Sequence, residues 1–288
     1  MILSELKSIN ELNLNMADGY ILNVSHLSSP SDITMSISEV NEVVKATSKP
    51  VFLKLNLLYM DKDYPSLEEV FKNVKGIKGI IFQDFGLIPL KNKYNKDLVM
   101  IYDSSNFITT SLDYLYFENS GVDTLTLSNT LTLKELDSVI NTPYSYASHV
   151  YGYQEMFYSY RKHFSNYSKE YGFKDLKDKY NISLKEETRD QLFKTVEDEN
   201  GFYIFRDKLI NAYDFMDHFK KCDYLILDRL FISDEEYLDT VKLYKGITKR
   251  SEYASKYNAQ FDTGFLFKNV GKLFEVKANE DWVINACG

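Results

Sequence analysis

Short apolar runs alternate with stretches of helical periodicity along most of the chain. Four of the runs are alike: a Gly or Asp precedes four or five apolar or β-branched residues, and a polar residue follows. They occupy residues 16–25, 76–85, 120–129 and 221–230, and similar runs lie at 50–58, 97–105 and 144–152. Runs of this length and character are typical of strands that are buried on both faces of a parallel sheet.

Helix starts are marked between the runs by Ser/Thr-x-x-Glu sequences, in which the hydroxyl and the carboxylate cap the first turn reciprocally. Four such pairs occur, at Ser36/Glu39, Ser66/Glu69, Thr132/Glu135 and Ser233/Glu236. The segment 4–15, SELKSINELNLN, also has helical spacing and is predicted to be a helix.

The regular alternation of helix and strand predicts an α/β fold. Seven or more units favour a (β/α) barrel-like core, complete or incomplete, and an open doubly wound sheet is the alternative.

The gap between the strand that ends near residue 152 and the one that ends near 228 is too long for a single crossover. Residues 153–208 are therefore predicted to be an insertion after the sixth or seventh strand. The C-terminal residues 259–285 predict a β-hairpin within a single domain, 1–288.

The acidic composition limits the partners of the protein. The 288 residues carry a formal net charge of −8, and the sequence pI is about 5.2. Such a chain has no general electrostatic attraction to nucleic acid or anionic membranes, so contact with RNA requires a local basic patch. No apolar run approaches the roughly 20 residues of a membrane helix, and the first residues lack a signal-peptide pattern. We therefore expect a cytoplasmic protein without a membrane partner.

Sequence motifs exclude several classes of site. The two cysteines, Cys222 and Cys287, are far apart, and two ligands cannot bind an iron–sulfur cluster or a structural zinc ion within one chain. No HxH or HExxH spacing occurs, and no metal is expected. Gly-rich phosphate loops and the GxSxG sequence of serine hydrolases are absent, and QDFGL at 83–87 lacks the other kinase motifs.

Candidate site residues lie where the predicted strands end, because barrel enzymes place their active sites at the carboxyl ends of the strands. Those expected to bind substrate are Asn23, Asn56, Gln83, Ser104, Ser128, Tyr153 and Asp228. Asp84, Tyr151 and Arg161 are the catalytic candidates, although Asp84 could equally be an N-cap. We interpret His149 as a half-buried strand residue.

One segment, 149–167, gathers five Tyr, two Phe and several cationic groups. It follows a predicted strand, so its aromatic rings could form a stacking floor beside the site and Arg161 could hold a carboxylate or a phosphate. The alternative is a helix with Met156, Phe157, Tyr160 and Phe164 on its buried face, because their spacing also fits helical periodicity.

Five segments resemble the collagenase-like peptidase family U32 in their order and spacing. They are GIKGIIFQDFGLI, SGVDTLTLSNTLTLKEL, VYGYQEMFYSYRKHFSNY, VEDENGFYIF and DTGFLF, which together extend over most of the chain. The family's fullest signature has a His before the Gly and two Cys after it, whereas this chain has Tyr151, Gly152 and no following Cys. It therefore resembles the cysteine-poor branch, without an iron–sulfur cluster.

The resemblance implies a barrel-like core and a role in tRNA modification. The cysteine-poor branch is associated with hydroxylation of the tRNA wobble uridine, with prephenate as co-substrate, and its members often occur as paralogous pairs. We therefore expect tRNA, and a paralogous subunit or a second copy in a homodimer, as partners. Two alternatives stay open: a metal-dependent, collagenase-like peptidase or other hydrolase, and a non-catalytic subunit that pairs with an active paralogue.

Overall fold

Thirteen strands and eight α-helices make up the part of the protein that the computed structural model describes, residues 1–104, 106–172, 182–188, 190–257 and 262–267. The strands are β1 (Ile2–Glu5), β2 (Gly19–Asn23), β3 (Val51–Leu55), β4 (Gly79–Phe82), β5 (Val99–Tyr102), β6 (Thr124–Thr126), β7 (Ser145–Gly152), β8 (Glu155–Ser159), β9 (Ile182–Lys185), β10 (Leu192–Glu197), β11 (Phe202–Phe205), β12 (Ile210–Asn211) and β13 (Tyr224–Leu227). The helices are α1 (Ile37–Ala46), α2 (Tyr64–Asn73), α3 (Leu87–Tyr94), α4 (Asp113–Phe117), α5 (Leu133–Val139), α6 (His163–Tyr171), α7 (Asp234–Tyr244) and α8 (Arg250–Lys256), with 3-10 helices at Ile9–Asn13, Asp61–Asp63 and Tyr213–Phe219. Within these ranges, no helix is long and apolar enough to cross a membrane.

Eight parallel strands, β1 to β7 and β13, form a closed barrel. Strands β1 to β7 pair in chain order. Strand β13 closes the ring because it pairs with β7 on one side and with β1 on the other. The predicted (β/α) barrel is confirmed, and its ring is complete. The short strand β12 pairs antiparallel with the end of β7.

Two hydrophobic layers stabilise the barrel. Inside the ring, one apolar cluster is almost fully buried, with members Leu3, Ile21, Phe52, Ile81, Ile101, Ala147 and Ile226. A larger cluster fills the space between the outer face of the strands and the helices. The strands are apolar almost throughout because both of their faces are buried.

Three of the four predicted helix starts are confirmed, at Ser36, Thr132 and Ser233. Each hydroxyl accepts a hydrogen bond from the backbone N–H three residues further on. The fourth prediction is wrong, because Ser66 lies inside α2, which begins at Tyr64. Proline is well tolerated in the first turn of a helix, so Pro65 is compatible with this earlier start.

The N-terminal segment differs from its prediction. Residues 4–15 have helical spacing, but Ile2–Glu5 form β1, and only the short 3-10 helix Ile9–Asn13 is helical. All four residues of β1 are buried, and the strand has hydrogen-bonded neighbours on both edges. Pairing and burial in the barrel outweigh the helix propensity of a few residues, which is a weak preference.

A second sheet lies within residues 153–208, the range predicted as an insertion. Its four antiparallel strands are arranged in the order β8–β11–β10–β9. Helix α6 is fixed to this sheet by the buried Glu197 carboxylate, which accepts hydrogen bonds from the N–H groups of Phe164 and Ser165. Met156 belongs to β8, so the alternative prediction of one helix from Met156 to Phe164 is wrong.

The predicted β-hairpin at 259–285 lies outside the described residues, apart from 262–267. Asp262 forms an isolated bridge with Ile210, and residues 264–267 form a turn. The carbonyl of Leu266 accepts a hydrogen bond from the N–H of Leu133 at the start of α5. These contacts place the short segment against the carboxyl end of the barrel.

Candidate active site

A layer of charged side chains lies at the carboxyl end of the barrel interior. Strands β1, β3, β5 and β7 each place an apolar residue inside the ring, and the inward position two residues later is charged or titratable. The apolar residues are Leu3, Phe52, Ile101 and Ala147, and those that follow them are Glu5, Lys54, Asp103 and His149. Alternate strands of a closed barrel contribute side chains to a common layer. Asp228 joins this charged layer from the loop after β13.

Lys54 is one of two cations in the charged layer. Its Nζ lies 2.9 Å from Oε1 of Glu5 and 3.3 Å from Oδ1 of Asp228. Burial by itself would lower the pKa of this amine, but the two carboxylates raise it above its ordinary value. His149 and Lys54 in turn hold the pKa of Asp228 below its usual range in spite of its burial. Lys54 and Asp228 are therefore both charged at neutral pH.

His149 is the second cation. Its Nδ1 lies 2.5 Å from Oδ2 of Asp228, and its Nε2 lies 3.3 Å from Oδ2 of Asp103. Burial would lower the pKa of the imidazole, but the two aspartates raise it to about 10. Because each ring nitrogen faces a carboxylate, both nitrogens carry a proton and the ring is an imidazolium at neutral pH.

This arrangement predicts how the protein's stability depends on His149. The folded-state pKa lies above the ordinary value near 6.5, so the charged imidazole stabilises the fold fully below about pH 6.5, and this contribution is lost as the pH rises towards 10. We expect the difference in unfolding free energy between wild type and His149→Gln to be constant at low pH and to shrink above pH 7. Ring-nitrogen NMR shifts should report an imidazolium at pH 8, and a titration midpoint near 6.5 would contradict the assignment.

Two neighbouring cavities lie above the charged layer. The inner one, of about 80 Å³, is lined by all five members of the layer. The outer one, of about 360 Å³, lies between the barrel and the second sheet and is lined by Arg206, among others. Asn129, Gln154 and Glu155 line both cavities. A ligand in the outer cavity would therefore approach the charged layer past these three side chains.

Gly152 brings two chain segments into close contact at the site. Its φ is +132°, a conformation that residues with a side chain rarely adopt, and a Cβ at this position would lie 2.7 Å from Cβ of Asp228. The absence of a side chain lets the end of β7 pack against the backbone that carries Asp228. The position of Asp228 in the charged layer therefore depends on Gly152.

Comparison with known proteins gives the family. The family model described as Peptidase family U32 matches residues 31–282. The chain belongs to peptidase family U32. Among solved structures, the U32 peptidase Mk0906 is 14% identical over 78% of this chain and 91% of its own, with a TM-score of 0.47.

Two barrel enzymes are also similar in structure to this U32 chain. They are phosphoribosyl anthranilate isomerases from Thermococcus kodakaraensis and Pyrococcus furiosus, 15% and 17% identical, each covering 51% of this chain and 76% of its own, with TM-scores of 0.37. No curated protein sequence matches the chain.

Four of the predicted substrate-binding residues of this U32 protein line the cavities. Asn56, Tyr153 and Asp228 line the inner cavity, and Ser128 lines a smaller space beside it that also contacts His149. Two hydrogen bonds fix the Asn56 side-chain amide to Ser29, in the loop after β2. Its Oδ1 accepts from the Ser29 N–H, and its Nδ2 donates to the Ser29 hydroxyl. Asn56, Tyr153 and Asp228 therefore lie at one cavity, and Ser128 lies at the space beside it.

The other predicted strand-end residues have local partners. The Asn23 side-chain amide donates a hydrogen bond to the Ser31 hydroxyl, and the Ser104 hydroxyl accepts one from the Phe107 N–H. The Asp84 carboxylate accepts hydrogen bonds from the N–H groups of Tyr59 and Gly86, which fixes two loops. Gln83, beside Asp84, is partly buried and lines neither cavity.

Tyr151 and Arg161 do not reach the cavities. Strand β7 has an extra residue, Val150, between two residues that pair with consecutive positions of β13. This β-bulge changes the alternation of side chains, so Tyr151 is buried on the outer face, with its ring 6.4 Å from that of Tyr244. Arg161 is exposed at the turn between β8 and α6. The expectation that these two side chains face the mouth is wrong.

No metal site accompanies the charged layer in the part of the chain that is described. No three His, Cys, Asp or Glu side chains there are arranged to hold an ion. Glu5, Asp103 and Asp228 instead face Lys54 or His149. The charged layer can therefore place fixed positive and negative charges close to a ligand in the inner cavity. Electrostatic interactions in such a partly buried site are stronger than in water.

Proposed function

We propose that this U32 protein binds a small carboxylate at the barrel mouth and takes part in hydroxylation of the tRNA wobble uridine in the cytoplasm. Prephenate is the carboxylate that the resemblance to the cysteine-poor branch implies. The observation that carries the proposal is the outer cavity, which a buried arginine, Arg206, lines and which shares three lining residues with the cavity at the charged layer.

Arg206 is suited to bind an anion. Its Nη2 pairs with Asp262, its guanidinium carbon lies 5.3 Å from the centroid of the Phe265 ring, and its Nε has no hydrogen-bond partner among the described residues. A guanidinium with donors to spare can bind a carboxylate through two parallel hydrogen bonds. Asn129 and Gln154 supply neutral donors at the same wall, and the volume of about 360 Å³ lies in the range of small-molecule sites.

The second sheet and α6 are the proposed contact with RNA. Residues 156–169, from β8 into α6, contain Arg161, Lys162 and Lys169 and no Asp or Glu, whereas the chain as a whole has a charge of −8. Arg161 is exposed there, and the exposed rings of Tyr167 and Tyr171 lie 4.7 Å apart. Exposed cations bind phosphates, and exposed aromatic rings can stack with unpaired bases.

Nucleoside analysis tests this function. Deletion of the gene should abolish 5-hydroxyuridine-type wobble nucleosides in mass spectra of total tRNA, and a wild-type copy should restore them. If the host has a paralogue, single and double deletions should be compared, which also tests for a paired subunit. A normal nucleoside profile after the double deletion would refute the proposal.

The Arg206→Met variant tests the carboxylate site. We expect it to restore less than a tenth of the modification, since a hydrogen bond to a charged group contributes about 1.5–3 kcal/mol. Prephenate should raise the thermal unfolding midpoint of the purified wild type but not of this variant. Arg250→Met, which changes a partly exposed arginine on α8 that pairs with Asp214 and lines neither cavity, is the control. Full restoration by Arg206→Met would indicate a non-catalytic subunit instead.

The family description favours a second candidate, a metal-dependent peptidase. Purified protein with added divalent metal should be assayed on gelatin and short peptides, beside a Lys54→Met variant. If the protein acts in tRNA modification, we expect no cleavage of gelatin or of the peptides. Cleavage that resists inhibitors of contaminating proteases and disappears in the variant would favour peptide hydrolysis.

A further inference from the structure

Glu155 lies where the two cavities meet. It is the first residue of β8 and lines both the inner and the outer cavity. Strand β8 has a β-bulge directly after it: Phe205 of β11 pairs with Glu155, whereas the preceding Ile204 pairs with Phe157, so Met156 is the extra residue. Bulges beside functional sites commonly redirect a side chain, and here the carboxyl of Glu155 is directed towards the barrel mouth.

Glu155 differs from the acids of the charged layer because it has no partner. Glu5, Asp103 and Asp228 are each paired with Lys54 or His149. Among the described residues, the Glu155 carboxyl has neither a hydrogen bond nor an ion pair, although the residue is partly buried. A buried carboxyl without a partner is costly to ionise, so such a group binds and releases its proton near neutral pH more readily than a paired one.

The charges around Glu155 explain its protonation. Burial and the Asp103 carboxylate raise its pKa to about 7, and Lys54 acts in the opposite direction. The other titratable groups at the two cavities are Glu5, His149 and Asp228 on the inner side and Arg206 and Asp207 on the outer side. Lys54, His149 and Asp228 are held in their charged states by their pairing, whereas the pKa of Glu155 lies near neutrality, so Glu155 is suited to change its protonation during a reaction.

We propose that Glu155 is the catalytic proton-exchanging residue of this site and that His149 is a fixed cation with an electrostatic role. The identity of the reacting ligand rests on the proposed function. The Glu155 carboxylate removes a proton from an O–H or C–H group of the bound carboxylate, so that the C–H or O–H bond breaks and a Glu155 O–H bond forms. The neutral acid then returns the proton to the product or to water, and Glu155 is an anion again.

Carboxyl-carbon NMR tests the protonation without any assay of activity. In protein labelled at the glutamate carboxyl carbons, the Glu155 resonance is the one that is missing from the spectrum of Glu155→Gln. Its chemical shift should titrate with a midpoint near pH 7. The thermal unfolding midpoint of Glu155→Gln minus that of the wild type should rise between pH 5 and pH 8, because the wild type alone acquires an uncompensated buried charge in this range. A midpoint near 4.5, or a difference that does not change with pH, would overturn the proposal.

Complementation tests the catalytic role. Glu155→Gln should lower the wobble modification at least tenfold, Glu155→Asp should restore part of it, and Glu69→Gln, which changes an exposed glutamate on α2, should have no effect. Full modification with Glu155→Gln would overturn the role of Glu155 while leaving the tRNA function in place. Unchanged modification after gene deletion would remove the tRNA function, and the NMR titration would still decide whether Glu155 exchanges a proton near neutral pH.

Discussion

Replacement of Lys54 by methionine is expected to lower the free energy of unfolding by about 3–5 kcal/mol, the range for removing one partner of a buried ion pair. The methionine fills most of the space of the lysine stem, but Glu5 and Asp228 lose the ammonium group that lies 2.9 and 3.3 Å from them. Two buried carboxylates would then be without their shared cation. Urea denaturation at pH 7 measures the effect.

The matched control for Lys54 is Lys185→Met. Lys185 also pairs with an aspartate, Asp190, at 3.2 Å, but both side chains are more than half exposed. Exposed pairs of this kind contribute about 0–1 kcal/mol, so the control should be nearly neutral. Equal effects of the two substitutions would show that water reaches the charged layer and screens it.

Replacement of Gly152 by alanine is expected to cost about 2–6 kcal/mol. The new methyl group would lie 2.7 Å from Cβ of Asp228, and the backbone has a φ of +132° that alanine adopts only with strain. Overpacking and backbone strain each cost about 1–3 kcal/mol. Because Asp228 must move, the pKa of His149 should also fall from its raised value, which the ring-nitrogen NMR shifts would report.

The control variant Gly246→Ala distinguishes the cost of backbone strain from the cost of overpacking. Gly246 has a positive φ of +69°, but nothing lies within 4 Å of a Cβ at this position. Its substitution should therefore cost only the strain of the left-handed conformation, about 1–2 kcal/mol, and should leave His149 unchanged. If the two alanine variants lose the same stability, close contact with Asp228 is not what requires Gly152.

Much of the barrel could be predicted from the sequence because seven of its strands are apolar runs that alternate with capped helices. Strand β1 could not, because it is only four residues long and continues into a segment with helical spacing. Its conformation is determined by neighbours that are distant in the chain. Local patterns carry no information about such partners.

The charged layer was partly visible in the sequence. Lys54 stands between Leu53 and Leu55 in a run predicted to be buried on both faces, and a lone charge at such a position indicates a buried partner. The interpretation of His149 as a half-buried strand residue placed it in the correct element but missed its two carboxylate partners. The orientations of Tyr151 and Glu155 follow from β-bulges, which neither residue type nor spacing predicts.

The closing of the ring has a consequence for synthesis on the ribosome. Strand β1 emerges long before its partner β13, at Tyr224–Leu227, which is translated more than two hundred residues later. Until then one edge of β1 has unpaired backbone groups, which are a template for wrong associations with other chains. Nascent chains that stall before residue 224 should therefore aggregate or recruit chaperones, whereas chains in which β13 has emerged should resist proteolysis.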